Sequence, residues 1–433
     1  MPAPSIRLVP ALGRGDLTAL VVNTVIGSGI FGLPLLVTGL VGAGSLLAYV
    51  AAAAGIGLIA LCFAEVGAQF RAAGGPYLYA REAFGPFVGM QVGWITWLMR
   101  ISAAAATARI FTDYAAVVWP AAARPIPQDG LITGLFALLA WANIRGVRAG
   151  ARASNALVMA KLVPLAALVV FGAGHIRAAT FFGWRAAAPP GVGGWLQAVL
   201  LLIFAFGGFD NAMFPASEMR DPRRDVPFGL LAGLAVVAVF YLSIQAVFQG
   251  VVVPGTASAQ PLAAAAERIF GRAGGPFIAA GAMLSIWGWF AATILGTPRL
   301  TYAMAEQGDL PAALAAVHAR YRTPYSSILL YVAASWILAL AGSFEWNASL
   351  SAVARLATYG ATCAALPVFR RRGQGVGSFR IPCGALVSAL GIGFCVVLVT
   401  QMGSTEFVLL AATMLLAAAS WVVRTRTAPR PRR

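Results

Sequence analysis

The stretch VIGSGIFGLP, residues 25–34, lies inside an apolar segment that is otherwise long enough to form one helix. Three glycines and a proline fall within eight of these residues, and both residue types weaken a helix interior. The pattern therefore predicts a helix that is interrupted at its middle. If the segment crosses a bilayer, the interruption must face protein or a wet cavity, because lipid cannot satisfy free backbone N–H and C=O groups.

The composition indicates that the solvent is a bilayer. The chain has 433 residues, of which 60% are hydrophobic and 10% are charged, and its mean hydropathy is +0.81. Soluble domains carry about 25% charged residues. No part of the chain is typical of a soluble domain, so the sequence predicts an all-α polytopic membrane protein.

Apolar segments near the roughly 20-residue length of a membrane-crossing helix recur along the whole chain. They predict about twelve spans, at residues 17–40, 44–70, 86–119, 128–147, 154–174, 194–215, 226–252, 274–305, 325–343, 347–369, 382–401 and 405–424. Residues 1–16 and 425–433 are predicted tails. Residues 175–193 form a predicted extracytoplasmic loop and residues 370–381 a cytoplasmic one.

The basic residues predict the orientation of the spans. With the N-terminus inside, most of the 31 lysines and arginines fall in cytoplasmic tails and connections. The outer connections hold Arg124, Arg177, Arg185, Arg268 and Arg272. This asymmetry predicts that both termini are cytoplasmic in a bacterial inner membrane. It also accounts for the net charge of +17, and no concentrated basic face suggests nucleic-acid binding.

A second interruption is predicted in the sixth span. The sequence FAFGGFDN, residues 204–211, places a glycine pair beside an acid and is followed by Pro215. The two interruptions lie five spans apart, and an odd number of spans reverses orientation. Residues 17–174 and 194–369 are therefore predicted to form two inverted five-helix repeats, followed by two helices in residues 382–424. The alternative is that these glycines only permit close helix packing.

Two interrupted helices would form a site for a small charged solute at the membrane midplane. The amino ends of half-helices offer free N–H groups to a carboxylate, and freed carbonyls suit an ammonium group. An amino acid carries both groups. The predicted partners are therefore a small amino acid or amine and the lipid bilayer, with no obligatory subunit indicated.

Lys161 is the only lysine in the chain and lies within the fifth predicted span. A cation there costs about 3 kcal/mol on insertion scales and usually faces the protein interior. We interpret its ammonium group as taking the place of a sodium ion between two helices. The alternative is a side chain that extends to the cytoplasmic interface.

Other charged and aromatic residues in the spans are less decisive. Asp210 is interpreted either as a gating or substrate-contacting acid or as a cap for the following half-helix. For Arg100 and Arg355 three alternatives stay open, namely pairing with an acid, lining the pathway or lying nearer an interface, and Glu65 is interpreted as structural. Trp287 and its neighbour Trp289 are candidates for a substrate lid, although tryptophans in membrane proteins more often pack or line the interface.

Neither the cysteines nor the histidines suggest a metal or cofactor. The four cysteines lie in or beside spans without a CxxC motif, and both histidines lie in predicted loops. No cofactor and no metal site are predicted.

Four motifs in order resemble those of the amino acid–polyamine–organocation transporters. They are GSGIF at residues 27–31, GGPYLYAREAFG at 74–85, FGGFD at 206–210 continuing to SEMRDPRRDVP at 217–227, and RLTYAMAEQGDLP at 299–311. The resemblance runs from about residue 15 to residue 424.

The resemblance implies two inverted five-helix repeats plus two helices, with a site between spans one, three, six, eight and ten. It places the substrate carboxylate at Ile26, Gly27, Ser28 and Gly29. It places the substrate amine and an aromatic gate at Phe204, Ala205, Phe206 and Gly207. It also implies gating or coupling roles for Asp210 and Lys161, the latter as the lysine of sodium-independent members.

The sequence thus predicts a sodium-independent secondary transporter of amino acids, either an exchanger or a proton-coupled symporter. A polyamine or organic-cation carrier and an amino acid exporter are the alternatives. An intramembrane serine protease would need a histidine within a span, a channel would need a filter or charged ring, and an ATP-driven pump would need a Walker A motif.

Overall fold

The computed structural model describes residues 13–70, 74–146, 151–186, 190–211, 213, 219, 221–256, 258–306, 308–373 and 379–427. Both terminal tails fall largely outside this set. The continuation of the sixth predicted span beyond Asn211, with Pro215, also lies outside it apart from residue 213, and so do residues 217, 218 and 220 of the motif at 217–227.

The described part of the chain is built from α-helices joined by short connections. They are α1 (Arg14–Val25), α2 (Gly29–Val41), α3 (Ser45–Gly67), α4 (Gly75–Phe84), α5 (Pro86–Val118), α6 (Pro125–Ile144), α7 (Ala151–Gly172), α8 (Ala178–Gly183), α9 (Val192–Phe206), α10 (Pro222–Val251), α11 (Pro261–Phe270), α12 (Gly274–Glu306), α13 (Tyr325–Ala341), α14 (Phe344–Arg371), α15 (Gly384–Val399) and α16 (Ser404–Thr427).

Each predicted span overlaps one helix, except that the first span overlaps the pair α1 and α2. By length and composition, six helical stretches in the described residues could cross a membrane. They are Gly29–Gly67, Val192–Asn211, Arg223–Val251, Pro261–Glu306, Phe344–Arg371 and Ser404–Thr425. The prediction of an all-helical polytopic membrane protein is confirmed, whereas the number of twelve crossings and the inverted repeat stay predictions.

Small residues allow the first helix to pack closely in the centre of the protein. α1 packs along α10, where Gly229 and Gly233 are one helical turn apart. A methyl group on Gly229 would lie 2.8 Å from Leu17, and one on Gly233 would lie 2.7 Å from Val21. Such small residues let helix backbones approach in a bilayer, where no hydrophobic effect drives helices together. The face of α1 that carries Leu17, Val21 and Val25 is therefore buried.

Glu65 connects three helices at one end of the bundle. The Arg370 guanidinium of α14 donates two hydrogen bonds of 2.6 Å to its carboxylate, one to each oxygen. The backbone N–H of Ile381, before α15, donates another of 2.8 Å. The Glu65 side chain is 1% exposed and that of Arg370 is 26% exposed. This geometry agrees with the structural role expected for Glu65.

We expect Glu65→Ala to lower stability by about 1–3 kcal/mol, because it leaves the buried Ile381 N–H without its acceptor and removes both hydrogen bonds from the partly exposed Arg370. The midpoint of thermal unfolding in detergent would measure this loss. Glu82→Ala is the control, since Glu82 is exposed on α4. Equal midpoints for the two variants would contradict the role assigned to Glu65.

Candidate functional site

The first predicted helix interruption is confirmed at residues 26–28. α1 ends at Val25 and α2 begins at Gly29. Ile26 is extended, with φ −71° and ψ 92°. The last carbonyl groups of a helix lack partners within the helix, so those of α1 need other donors in this buried position.

Two side chains from other helices supply these donors. The Lys161 ammonium group of α7 donates to the Asn23 carbonyl oxygen at 2.6 Å and to that of Ile26 at 2.9 Å. The Tyr241 hydroxyl of α10 donates to the Val25 carbonyl oxygen at 3.0 Å. Lys161 is 2% exposed. Its ammonium group thus points inward, and the alternative of a side chain extending to the interface does not describe this geometry.

The second predicted interruption is confirmed after Phe206. α9 ends there, Gly207 is extended, and Gly208 has a φ of +113° that favours glycine. Residues 209–211 form a short 3-10 turn. The further course of this span lies beyond the residues that the structure describes.

The two interruptions contact one another. A methyl group on Gly208 would lie 2.5 Å from the Thr24 carbonyl oxygen, and one on Gly29 would lie 2.7 Å from the Ala205 Cα atom. The Tyr241 hydroxyl also lies 3.2 Å from the Ala205 carbonyl oxygen, so one residue of α10 contacts both interrupted segments. Glycine is needed here because the two backbones cross without room for a side chain.

A small cavity lies where the interruptions meet. Its volume is about 30 Å³, room for a water molecule or two rather than an amino acid. α5, α12 and α14 close it on the other sides. Its lining comprises Thr24, Val25, Gly27, Ser28, Gly29, Met99, Arg100, Ala103, Thr107, Phe204, Ala205, Gly207, Gly208, Asp210, Asn211, Trp289, Thr293 and Arg355.

Most of the predicted site residues line this cavity. They are Gly27, Ser28, Gly29, Phe204, Ala205, Gly207 and Asp210. The elements around the cavity match spans one, three, six, eight and ten, which the resemblance implied. The sequence prediction missed the α5 residue Thr107, whose hydroxyl lies 2.8 Å from that of Ser28. No local signal distinguishes this threonine from others in the spans.

Four predicted residues, Ile26, Phe206, Trp287 and Lys161, do not line the cavity. Ile26 is buried, and its carbonyl accepts a hydrogen bond from Lys161. Phe206 packs on the ring of Tyr241, with 5.2 Å between centroids. Trp287 is replaced at the wall by Trp289, since residues two apart on a helix point about 200° apart. The aromatic side chains at the cavity are therefore Phe204 and Trp289.

Asp210 lies in a buried cluster with two arginines, which we call the Asp210 cluster (Arg100, Asp210 and Arg355). Arg355 Nη1 lies 3.1 Å from Asp210 Oδ1, and Arg100 Nη2 lies 3.4 Å from Asp210 Oδ2. The Tyr359 hydroxyl donates to Asp210 Oδ1 at 3.0 Å, and Arg100 Nη1 donates to Asn211 Oδ1 at 2.6 Å. All three charged residues are at most 5% exposed.

The Asp210 cluster joins three elements at the cavity. It connects α5 and α14 to the turn that follows α9. Among the described contacts, Asp210 forms ion pairs rather than capping a half-helix. The cluster also gives Arg100 and Arg355 a common location, although the sequence alone assigned them no role.

Comparison with known proteins identifies the family. The amino acid permease family model matches residues 12–420, so the chain belongs to that family, as the resemblance to amino acid–polyamine–organocation transporters predicted. The chain is a transporter rather than an enzyme, and a multi-pass membrane protein.

Three relatives from Bacillus subtilis (strain 168) match nearly full length. The methylthioribose transporter is 27% identical over 90% of this chain and 87% of its own. The branched-chain amino acid permease BcaP is 25% identical over 90% and 88%. The serine/threonine exchanger SteT is 28% identical over 82% of each chain.

Gly29→Ala tests whether the crossing of the interruptions is essential. The new methyl group would meet the backbone of α9, and such overpacking costs about 1–3 kcal/mol. We expect a lower unfolding midpoint and slower transport in proteoliposomes. Gly39→Ala in the same helix is the control, because nothing lies within 4 Å of its methyl position. Indistinguishable behaviour of the two variants would contradict this assignment.

Proposed function

We propose that this member of the amino acid permease family is a sodium-independent secondary transporter that moves amino acids across the cell membrane by alternating access. The observation that carries the proposal is the Lys161 ammonium group bound to the carbonyl end of α1, next to two helix interruptions that share a cavity.

Substrate recognition follows from the helix ends at this cavity. The first N–H groups of α2, around Ser28 and Gly29, have no partners within their helix and carry the positive end of its dipole. They suit the α-carboxylate of an amino acid. Carbonyl groups at the two interruptions that Lys161 and Tyr241 do not contact suit the ammonium group. Phe204 and Trp289 flank the cavity and would cover the bound substrate.

Sodium independence follows from the position of Lys161. Unwound carbonyl groups and helix carboxyl ends are the groups that coordinate sodium in transporters built from interrupted helices. In this protein a covalently attached ammonium group occupies two of these carbonyl oxygens, at 2.6 and 2.9 Å. A sodium ion is thereby excluded from the same oxygens by charge and by space.

The small cavity volume supports an alternating-access cycle. An amino acid needs more room than about 30 Å³, so helices around the site must move apart to admit it. We assign this motion to one five-helix repeat, 17–174 or 194–369, rocking against the other. Both termini are placed in the cytoplasm.

The polyamine alternative is disfavoured by the Asp210 cluster. A cationic substrate would require a free acid, whereas the Asp210 carboxylate is shared by two guanidinium groups. Export instead of uptake stays an alternative, since the direction of a carrier follows the gradients across the membrane.

A counterflow experiment with purified protein in proteoliposomes tests the proposal. Vesicles loaded with unlabelled amino acid should accumulate the same labelled amino acid with or without sodium. Alanine, leucine, glutamine and glutamate are tested beside arginine and putrescine, with and without a pH gradient. Accumulation of putrescine alone, or strong stimulation by sodium, would overturn the proposal.

Lys161→Ala tests the role of the ammonium group. Each hydrogen bond from a charged donor contributes about 1.5–3 kcal/mol, and 1.4 kcal/mol corresponds to about tenfold. We therefore expect exchange to slow by roughly tenfold or more, while the protein still inserts. Arg299→Ala, which removes an exposed cation of α12, is the control. Wild-type exchange rates in Lys161→Ala would refute the assignment.

A further inference from the structure

The Asp210 cluster contains two guanidinium groups and one carboxylate at the wall of the substrate cavity. Arg100 and Arg355 are each 5% exposed and Asp210 is 1% exposed. The cluster itself therefore carries one more positive charge than negative charge. Charges inside a membrane protein are costly and generally pair with an opposite charge or mark a substrate pathway.

Arg355 has an unused hydrogen-bonding edge at the cavity. Its two described hydrogen bonds, to Asp210 and Tyr359, both start from Nη1. Its Nε atom is buried and has no hydrogen-bond partner among the residues that the structure describes. A buried N–H group of a charged side chain without an acceptor costs free energy, so an acceptor supplied by a ligand would be strongly bound.

The absence of a side chain at Gly207 lets the Arg355 guanidinium pack directly against the second interruption. A methyl group on Gly207 would lie 2.2 Å from Arg355 Cζ and 2.3 Å from Nε. The guanidinium thus lies against the second interruption, within the site that the proposed function assigns to the amino acid. The Nε edge of arginine binds carboxylates with two parallel hydrogen bonds.

We propose that the preferred substrates are acidic amino acids, whose side-chain carboxylate is bound by Arg355 with Arg100 beside it. This inference rests on the proposed function, because it assumes that the α-carboxylate and ammonium group bind at the helix interruptions. The second carboxylate then balances the excess positive charge of the Asp210 cluster.

A neutral aliphatic or cationic side chain would offer no acceptor to the Arg355 Nε edge. A cationic side chain would add a third positive group to the cavity, which increases repulsion at low dielectric constant. A small inorganic anion could balance the charge instead. The experiment below separates that case from the acidic substrate.

Glutamate and glutamine provide the decisive comparison, because they have nearly the same shape and differ in charge. Aspartate and asparagine form a second, shorter pair. Initial exchange rates in proteoliposomes should give glutamate or aspartate at least about a tenfold higher kcat/KM than its amide. Equal or better transport of both amides would overturn the inference.

Arg355→Gln and Arg100→Gln test the assignment to the Asp210 cluster. Each variant leaves Asp210 with one arginine partner, so an ion pair remains. We expect the acid-to-amide ratio of kcat/KM to fall by about tenfold in Arg355→Gln and to fall in Arg100→Gln. The ratio is insensitive to the amount of folded protein. Arg124→Gln removes an exposed charge between α5 and α6 and should keep the wild-type ratio. An unchanged ratio in Arg355→Gln would contradict the inference.

A binding measurement covers the case in which Arg355→Gln is inactive towards both substrates. Glutamate should raise the unfolding midpoint of the purified wild-type protein more than glutamine does at equal concentration, since a ligand stabilises the state that it binds. Equal shifts would overturn the inference.

Two further outcomes separate this inference from the proposed function. Exchange of neutral amino acids without a preference for acids would overturn the inference and leave the proposed function intact. Absence of exchange for every amino acid would overturn both. If replacing chloride by gluconate abolishes exchange of neutral amino acids and acids are not preferred, chloride balances the cluster and the inference is wrong.

Discussion

The structure depends on one constraint: backbone that is unwound inside a bilayer must find hydrogen-bond partners within the protein. Residues 26–28 and 207–208 interrupt two buried helices. At the first interruption, Lys161 and Tyr241 donate to carbonyl groups near the end of α1. These donors come from α7 and α10. The first interruption therefore requires that these two helices lie beside the end of α1. α1 can approach α10 closely because the small residues Gly229 and Gly233 of α10 leave room for Leu17 and Val21.

The same constraint supports our proposal that the interruptions form a binding site. Lys161 and Tyr241 donate hydrogen bonds to backbone carbonyl groups on one side of the interruptions. The backbone groups on the other side face the cavity between α5, α12 and α14, where a solute could bind them. The described conformation is nearly closed, because Gly29 and Gly208 allow the two interrupted segments to touch. Separation of these segments, rather than rearrangement of single side chains, is then the motion that makes room for a substrate.

The features that the sequence predicted well are local or energetically extreme. The interruptions depend on glycines within a few residues, and the inward position of Lys161 follows from the cost of a cation in an apolar span. The Asp210 cluster was not predictable in this way, because Arg100 and Arg355 lie 110 and 145 residues away from Asp210 in the chain. Nor was the choice of Trp289 over Trp287, because the rotation of α12 is set by packing against its neighbours. The sequence showed which residues are unusual, and the fold determined which of them meet.

Charge balance at the cavity connects substrate choice to the mode of transport. An excess positive charge at the site raises the free energy of the empty carrier. A bound carboxylate lowers it again. In the alternating-access cycle that we propose, the site opens to one aqueous phase and then to the other, and the closed intermediate has the least water to solvate the charge. The loaded carrier would therefore pass through the closed state more readily than the empty carrier, because a ligand favours the state in which its contacts are strongest. On this argument an acidic substrate and an exchange mechanism are two consequences of the same cluster.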